Sequence, residues 1–199
     1  ALKLQEDALG PDDPDVAINV NNLGSALAAL GSYEEAEQQI QRALALREQL
    51  YGPVHPLTAE TMTNLGDLYR LQGKYDEAEP LFLRSLDVRR HELESDHPAL
   101  ALSHVGLARV ELGRGRPSAA REHAERALEI NEASDAEPSA VATARWTLAQ
   151  ALWFDRGQRA RAVTLAEQAR ADRARQGDST EAIDGWLADE RVRDDVADR

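Results

Sequence analysis

The sequence predicts an all-α fold built from repeated helix pairs, and three observations carry that prediction. The first is self-similarity: the segment Val20–Ala36 returns 42 residues later as Met62–Ala78. Leu23, Gly24, Gly31, Tyr33, Glu35, Ala36 and Glu37 are matched one for one by Leu65, Gly66, Gly73, Tyr75, Glu77, Ala78 and Glu79. The second is that small residues keep the step, as Gly115 and Ala120 and then Gly157 and Ala162. The third is composition: Leu and Ala abound, Val and Ile are sparse, and only 5% of residues are aromatic, which favours helices over strands. A repeat of this length is one supersecondary unit that buries its apolar face against its neighbours.

Taken in order, the elements justify themselves locally. Pro14 opens a helix whose apolar residues Val16, Val20, Leu23, Leu27 and Leu30 fall on one stripe of a 3.6-residue period, and Gly31 ends it. Ser32 is placed to cap the next helix, Tyr33 to about Leu50, with Glu34 and Glu35 in the first turn where the helix dipole favours them. Its buried set is Ala36, Ile40, Ala43, Leu44 and Leu46, and Gly52-Pro53 stops it. The pattern then restarts, with helices at about Pro56–Gln72, Tyr75–Leu93, Pro98–Leu112 and Pro117–Asn131. Pro117 stands where Tyr33 and Tyr75 stood, so the helix survives while the aromatic contact is lost. A fourth pair spans about Pro138–Asp155 and Arg159–Gln176. After Gly177 an amphipathic segment carrying Ile183, Trp186 and Leu187 is expected to cap the open apolar end.

These elements read as one elongated domain over residues 1–190. It comprises a half repeat at 1–13, repeats at about 14–55, 56–97, 98–137 and 138–177, a capping helix at about 179–190, and a charged tail at 191–199. Ala1–Pro14 aligns with Ala43–Pro56, so the chain is expected to start midway through a helix of a preceding repeat, as a piece of a longer protein. Arg outnumbers Lys by 21 to 2, which with the many Ala suggests a GC-rich bacterial genome and a cytoplasmic protein.

The net charge of −13 argues against general affinity for nucleic acid or anionic membrane, because both require neutralised phosphates. It favours a protein or peptide partner, one of basic character included. The absence of Cys excludes disulfides and thiolate metal sites. No apolar run reaches spanning length.

The pattern Met62-x-x-Leu65-Gly66-x-x-Tyr69, followed by Ala78-x-x-x-Phe82, resembles the tetratricopeptide repeat. The 42-residue period and the Gly-Pro-x-His-Pro junction resemble the kinesin-light-chain type of that repeat. The resemblance implies a right-handed superhelical solenoid of antiparallel helix pairs, acting in protein–protein interaction and not as an enzyme. The segment Val141–Arg170 is similar to repeat regions attached to bacterial serine/threonine kinases, and similar arrays follow ATPase modules in bacterial regulators. That likeness implies a sensory or recruitment region whose catalytic domain lies elsewhere.

No catalytic constellation emerges, and no cofactor is expected. His55 and His97 are repeat equivalents before Pro at helix starts, which points to a junction role. His104 lies on the stripe of Val20 and Met62 and reads as a core histidine. A metal would need His91, His97, His104 and His123 to converge, and no His-x-x-x-His or carboxylate pairing supports that. Gly113-Arg-Gly115-Arg imitates a phosphate loop but has no preceding strand. Trp146 and Trp153 are expected to pack with Trp186.

The site argument is geometric. With Val20, Leu23, Gly24 and Leu27 facing inward, steps of about 100° per residue put Ile18, Asn22, Ser25 and Ala29 on the other face. In tetratricopeptide arrays that face lines a concave groove. Carried forward, it holds Glu60, Asn64, Asp67 and Leu71, then Leu102, Gly106, Arg109 and Gly113, then Thr143, Thr147, Gln150 and Phe154. The candidate peptide-binding residues are Asn22, Ser25, Glu60, Asn64, Asp67, Leu102, Arg109, Thr147 and Gln150. Asn22 and Asn64 are the expected backbone clamps, since each offers a donor and an acceptor and packing requires an amide at neither. The alternative is that they bond to neighbouring helices.

Overall fold

The computed structural model describes residues 7–189, and the chain divides into two compact units between Glu94 and Ser95. All regular structure among the described residues is helical, arranged as consecutive antiparallel pairs. The half repeat's first residues and the charged tail lie outside that range.

The first unit contains α1 (Pro14–Ala29), α2 (Tyr33–Tyr51), α3 (Pro56–Leu71) and α4 (Tyr75–Glu92). Within the first pair, Val16, Ala17 and Val20 of α1 meet Ala43 and Leu46 of α2. The pairs are joined by a second cluster in which Ala36 and Ile40 of α2 bury against Leu65 and Leu68 of α3. Within the second pair, Met62 and Phe82 are fully enclosed. Small residues set these distances: a Cβ on Gly24 would lie 2.5 Å from Ile40 Cγ1, and one on Gly66 would lie 3.0 Å from Phe82 Cζ. The turn glycines Gly31 and Gly73 take φ of +80° and +74°, a region other residues enter only under strain.

The expected inward stripe of α1 is only partly correct. Leu65 is buried by α2, whereas its counterpart Leu23 remains 40% exposed. Leu65 owes its burial to the second helix of the pair before it, and no described helix holds the equivalent place against Leu23.

The second unit contains α5 (Pro98–Gly113), α6 (Pro117–Ala133), α7 (Pro138–Leu152), α8 (Arg159–Gln176) and α9 (Glu181–Ala188). α7 stops at Leu152 instead of reaching Asp155, and a 3₁₀ turn at Arg156–Gln158 leads into α8. Its core is rich in alanine, with Ala108, Ala124, Ala149, Ala162 and Ala166 fully enclosed. Such side chains let helices approach closely and leave Leu107, Leu148 and Leu152 to fill the remaining space. The last helix packs on α8: Ile183 is fully buried, and the Trp186 ring meets Trp146 and Trp153 edge-on at 5.4 and 5.1 Å.

Helix starts are capped unevenly. His55 and His97 use Nδ1 to accept the N–H of Leu57 and Ala99, at 3.2 and 3.1 Å, so the junction role is an N-cap. Ser32 occupies the N-cap position of α2 without making a side-chain cap bond. Glu34 and Glu35 remain in that first turn, where their charge faces the dipole.

Candidate interaction surface

In the first unit the proposed face lies on α1 and α3, and a line of polar side chains joins the two helices. Asn64 Nδ2 donates to Asn21 Oδ1 at 3.0 Å, and Asn21 Nδ2 donates to Glu60 Oε1 at 3.5 Å. Glu60 also pairs with the Arg47 guanidinium at 3.3 Å. Asn21 is buried, so its amide must find partners inside the protein, and Asn64 supplies one. Asn64 thus bonds to the neighbouring helix, the alternative to a role as a free backbone clamp, while part of its surface stays open. The ladder turns on Asn21, one residue before the candidate Asn22.

Asn22 itself is exposed on α1, as is Ser25, whose hydroxyl donates to the Asn21 carbonyl at 3.2 Å. Glu60 and Asp67 keep 46% and 40% of their side-chain surface open, Asp67 while pairing with Arg70 at 3.0 Å. Two large apolar residues complete this surface, Ile18 at 40% and Leu71 at 46% exposure. The face therefore carries amides, open carboxylates and exposed aliphatics together.

Arg47 anchors the ladder from α2. Its Nη1 donates to the Leu57 carbonyl at 2.6 Å and to Thr61 Oγ1 at 2.9 Å, while its buried Nε has no partner. The same repeat position carries Arg89, Asn131 and Arg173. Asn131 Nδ2 donates to the Ala140 carbonyl at 3.2 Å, and Arg173 Nη1 to the Ser179 carbonyl at 3.4 Å. Burial pushes the Arg89 guanidinium down to about 10, against the opposing pull of Glu60. Sequence reasoning missed this polar tie from α2, α6 and α8 to the chain that follows each of them. The signal was a long polar residue recurring every 42 positions amid an apolar stripe.

In the second unit the candidates separate. Leu102 is 50% exposed on α5, and Arg109 and Gln150 are half-buried on α5 and α7. Thr147 is fully enclosed, its hydroxyl donating to the Thr143 carbonyl at 2.9 Å, so no ligand can touch it. The reason is that α7 is covered on several sides: Trp146, Thr147, Leu148 and Ala149 are buried in succession, and the face opposite the core is not open there. Gly106 is buried as well. An open pocket of about 400 Å³ lies between the start of α6 and the end of α7, lined by Pro117, Arg121, Glu122, Phe154 and Asp155.

Tyr69 illustrates how adjacent pairs are locked. Its hydroxyl donates to Glu37 Oε1 at 2.9 Å, and burial together with that bond raises its pKa above the ordinary phenol value. Lys74 approaches the same carboxylate at 3.7 Å. Among the described residues no group of three or more His, Cys, Asp or Glu is placed to hold a metal, and no helix is long and apolar enough to cross a membrane.

The geometry is that of stacked helix pairs whose small residues seat one helix on another, and the comparisons agree. The tetratricopeptide repeat model matches residues 15–90 and 68–133, and the chain belongs to the tetratricopeptide repeat family. A crystal structure of a kinesin light chain with nearly identical TPR-like repeats from Podosopora anserina is similar at 26% identity. That match has a TM-score of 0.62 and covers 89% of this chain and 84% of the other. A substituted form of the same fungal protein gives 25% identity, a TM-score of 0.64, and coverage of 88% and 83%. BtubC (BKLC) from P. vanneervenii shares the fold at 19% identity, with a TM-score of 0.63 over 83% of this chain and 66% of that one. No curated protein gives a match. The repeats are of the kinesin-light-chain-like type, and this fold generally serves as a non-catalytic scaffold for protein interaction.

Proposed function

We propose that the chain is a cytoplasmic bacterial interaction module that binds an extended peptide or protein segment in a concave groove lined by the Asn22 and Asn64 face of α1 and α3. The observation that carries this reading is the coexistence of exposed Ile18 and Leu71 with the Asn22 amide and the open carboxylates of Glu60 and Asp67. Ile18 and Leu71, each exposed by 40% or more, supply apolar area that a ligand can cover. The carboxylates and the net charge of −13 select a ligand carrying Lys or Arg. Asn22 is the backbone clamp, and Asn64 supports the face from beneath through Asn21. In the second unit, Leu102, Arg109 and Gln150 offer the corresponding register.

The test is selection of a random peptide library on the immobilised chain, followed by titration of an enriched peptide. Enriched peptides should be basic, and their affinity should fall as salt rises. Asn22→Ala removes a bond worth about 0.5–1.5 kcal/mol, a two- to tenfold loss of affinity. Asp67→Asn should weaken binding further with little change in melting temperature, since Asp67 pairs only with the neighbouring Arg70 on the surface. Equal affinities for wild type and both variants would place recognition on another surface.

A further inference from the structure

Aromatic rings close the α2–α3 junction of the first unit. Tyr33 at the start of α2 packs on the cluster of Ala36, Ile40, Leu65 and Leu68, and Tyr69 near the end of α3 reaches back to α2. There the Tyr69 hydroxyl donates to Glu37 Oε1 at 2.9 Å and accepts from Gln41 Nε2 at 3.2 Å. Gln41 Nε2 also donates to Glu37 Oε1 at 3.1 Å, so the phenol rests on a donor–acceptor pair one helical turn apart. The α6–α7 junction of the second unit repeats this plan with the rings missing. Pro117 stands at the place of Tyr33, and Arg121 and Glu125 at those of Glu37 and Gln41. On α7, in the register that sets Leu148 and Ala149 against Leu65 and Gly66, Ala151 and Leu152 replace Leu68 and Tyr69. Three large side chains are thereby reduced at one junction, and the pocket of about 400 Å³ opens there.

We propose that this pocket takes the tyrosine side chain of a partner protein, seated as Tyr69 is seated in the first unit. The polar pair is already formed: Arg121 Nε donates to Glu125 Oε1 at 3.0 Å, with donor and carboxylate exchanged relative to α2. Arg161 Nη1 holds the same carboxylate oxygen at 3.3 Å, which fixes it for a ligand. The phenol hydroxyl donates to Glu125 and accepts from the Nη groups of Arg121, both side chains being about one-third exposed at the pocket wall. Ala151 and Leu152 form a buried apolar floor for the ring, and Phe154, 65% exposed at the mouth, offers it an aromatic face. Glu122 and Asp155 on the rim favour Lys or Arg beside the tyrosine and disfavour its phosphorylated form. The site lies within the second unit and does not depend on the Asn22 face, so either can fail without the other.

The experiment titrates N-acetyl-tyrosinamide and N-acetyl-phenylalaninamide into the 15N-labelled full chain and follows amide shifts by NMR. The tyrosine probe should move the amides at the start of α6 and the end of α7, and the phenylalanine probe should bind about two- to tenfold more weakly for want of the hydroxyl bond. Arg121→Met, at a partly exposed position, should erase that difference while leaving the ring contact. Pro117→Tyr, which returns the ring that Tyr33 supplies in the first unit, should close the pocket and abolish both sets of shifts. Light scattering of the unliganded chain separates a partner from a second copy. A wild-type dimer dissolved by Pro117→Tyr would make a second copy the occupant and overturn the partner assignment. Equal affinity of wild type for the two probes, shifts that survive Pro117→Tyr, or shifts confined to α1 and α3 would overturn the tyrosine pocket itself, the last while leaving the Asn22 face standing.

Discussion

Gly24 and Gly66 occupy the same repeat position yet face different neighbours, so adding one methyl group to each separates two costs. At Gly24 the new Cβ would sit 2.5 Å from Ile40 Cγ1, with Ile40 N at 3.1 Å and the Ala36 carbonyl at 3.3 Å, and Ile40 is enclosed. At Gly66 only the Phe82 ring is near, at 3.0 to 3.2 Å, and a ring can slide by a few tenths of an ångström. Gly185, within α9, has nothing within 4 Å. Helix propensity favours Ala over Gly by about 1 kcal/mol, whereas overpacking costs about 1–3 kcal/mol. Gly24→Ala should therefore lower stability by about 1–2 kcal/mol, Gly66→Ala by less, and Gly185→Ala should raise it. Thermal melts of the three variants check the ranking, and a Gly24→Ala protein as stable as wild type would show that the α1–α2 crossing is looser than described. These glycines were legible in the sequence because their spacing is periodic. The partners of Asn21 were not: amides at 21, 22 and 64 look alike in a sequence, and only the rotation of α1 against α3 decides which of them is enclosed.

Helices are where the sequence speaks most directly, because three of the four second helices start at a tyrosine or a proline and each ends at a break in the pattern. Tyr33, Tyr75, Pro117 and Arg159 do begin α2, α4, α6 and α8. What failed was any argument about the outward side of a helix that is covered all round, as at Thr147. Periodicity identifies a buried stripe but cannot say whether a second stripe is also covered. The last helix gives a sharper test of the same logic. All three tryptophans of the chain lie in one cluster, with Arg159 stacked over Trp153 at 4.7 Å, so tryptophan emission reports on the junction of α7 and α9. Ending the chain after Asp178 would remove Ile183 and Trp186, whose burial is worth about 2–4 kcal/mol together. The truncated protein should melt lower, bind a dye for exposed apolar surface, and emit from Trp146 and Trp153 at longer wavelength. An unshifted emission maximum would mean that α9 does not cover them.

At the scale of the molecule, stability within each unit is a sum over its helix pairs and the contact between them, because each pair packs mainly on its sequence neighbour there. Within the first unit the core divides into a cluster inside the first pair and a cluster joining α2 to α3, and the Arg47 ties reinforce that second junction. Such an arrangement confines damage. Removing the tie with Arg47→Ala takes the guanidinium away from Thr61 Oγ1, the Leu57 carbonyl and Glu60 together, a loss of about 1–3 kcal/mol at one junction. If the chain behaved as one cooperative block, that loss would speed amide exchange everywhere. With nearest-neighbour coupling, exchange should accelerate by tenfold or more in α1, α2, α3 and α4 while α8 and α9 keep their wild-type protection. Hydrogen exchange followed by mass spectrometry on wild type and Arg47→Ala distinguishes the two. Uniform acceleration from α1 to α9 would replace the additive picture with a single cooperative fold, and the Gly24, Gly66 and α9 variants would then have to be read as changes to the whole rather than to one pair.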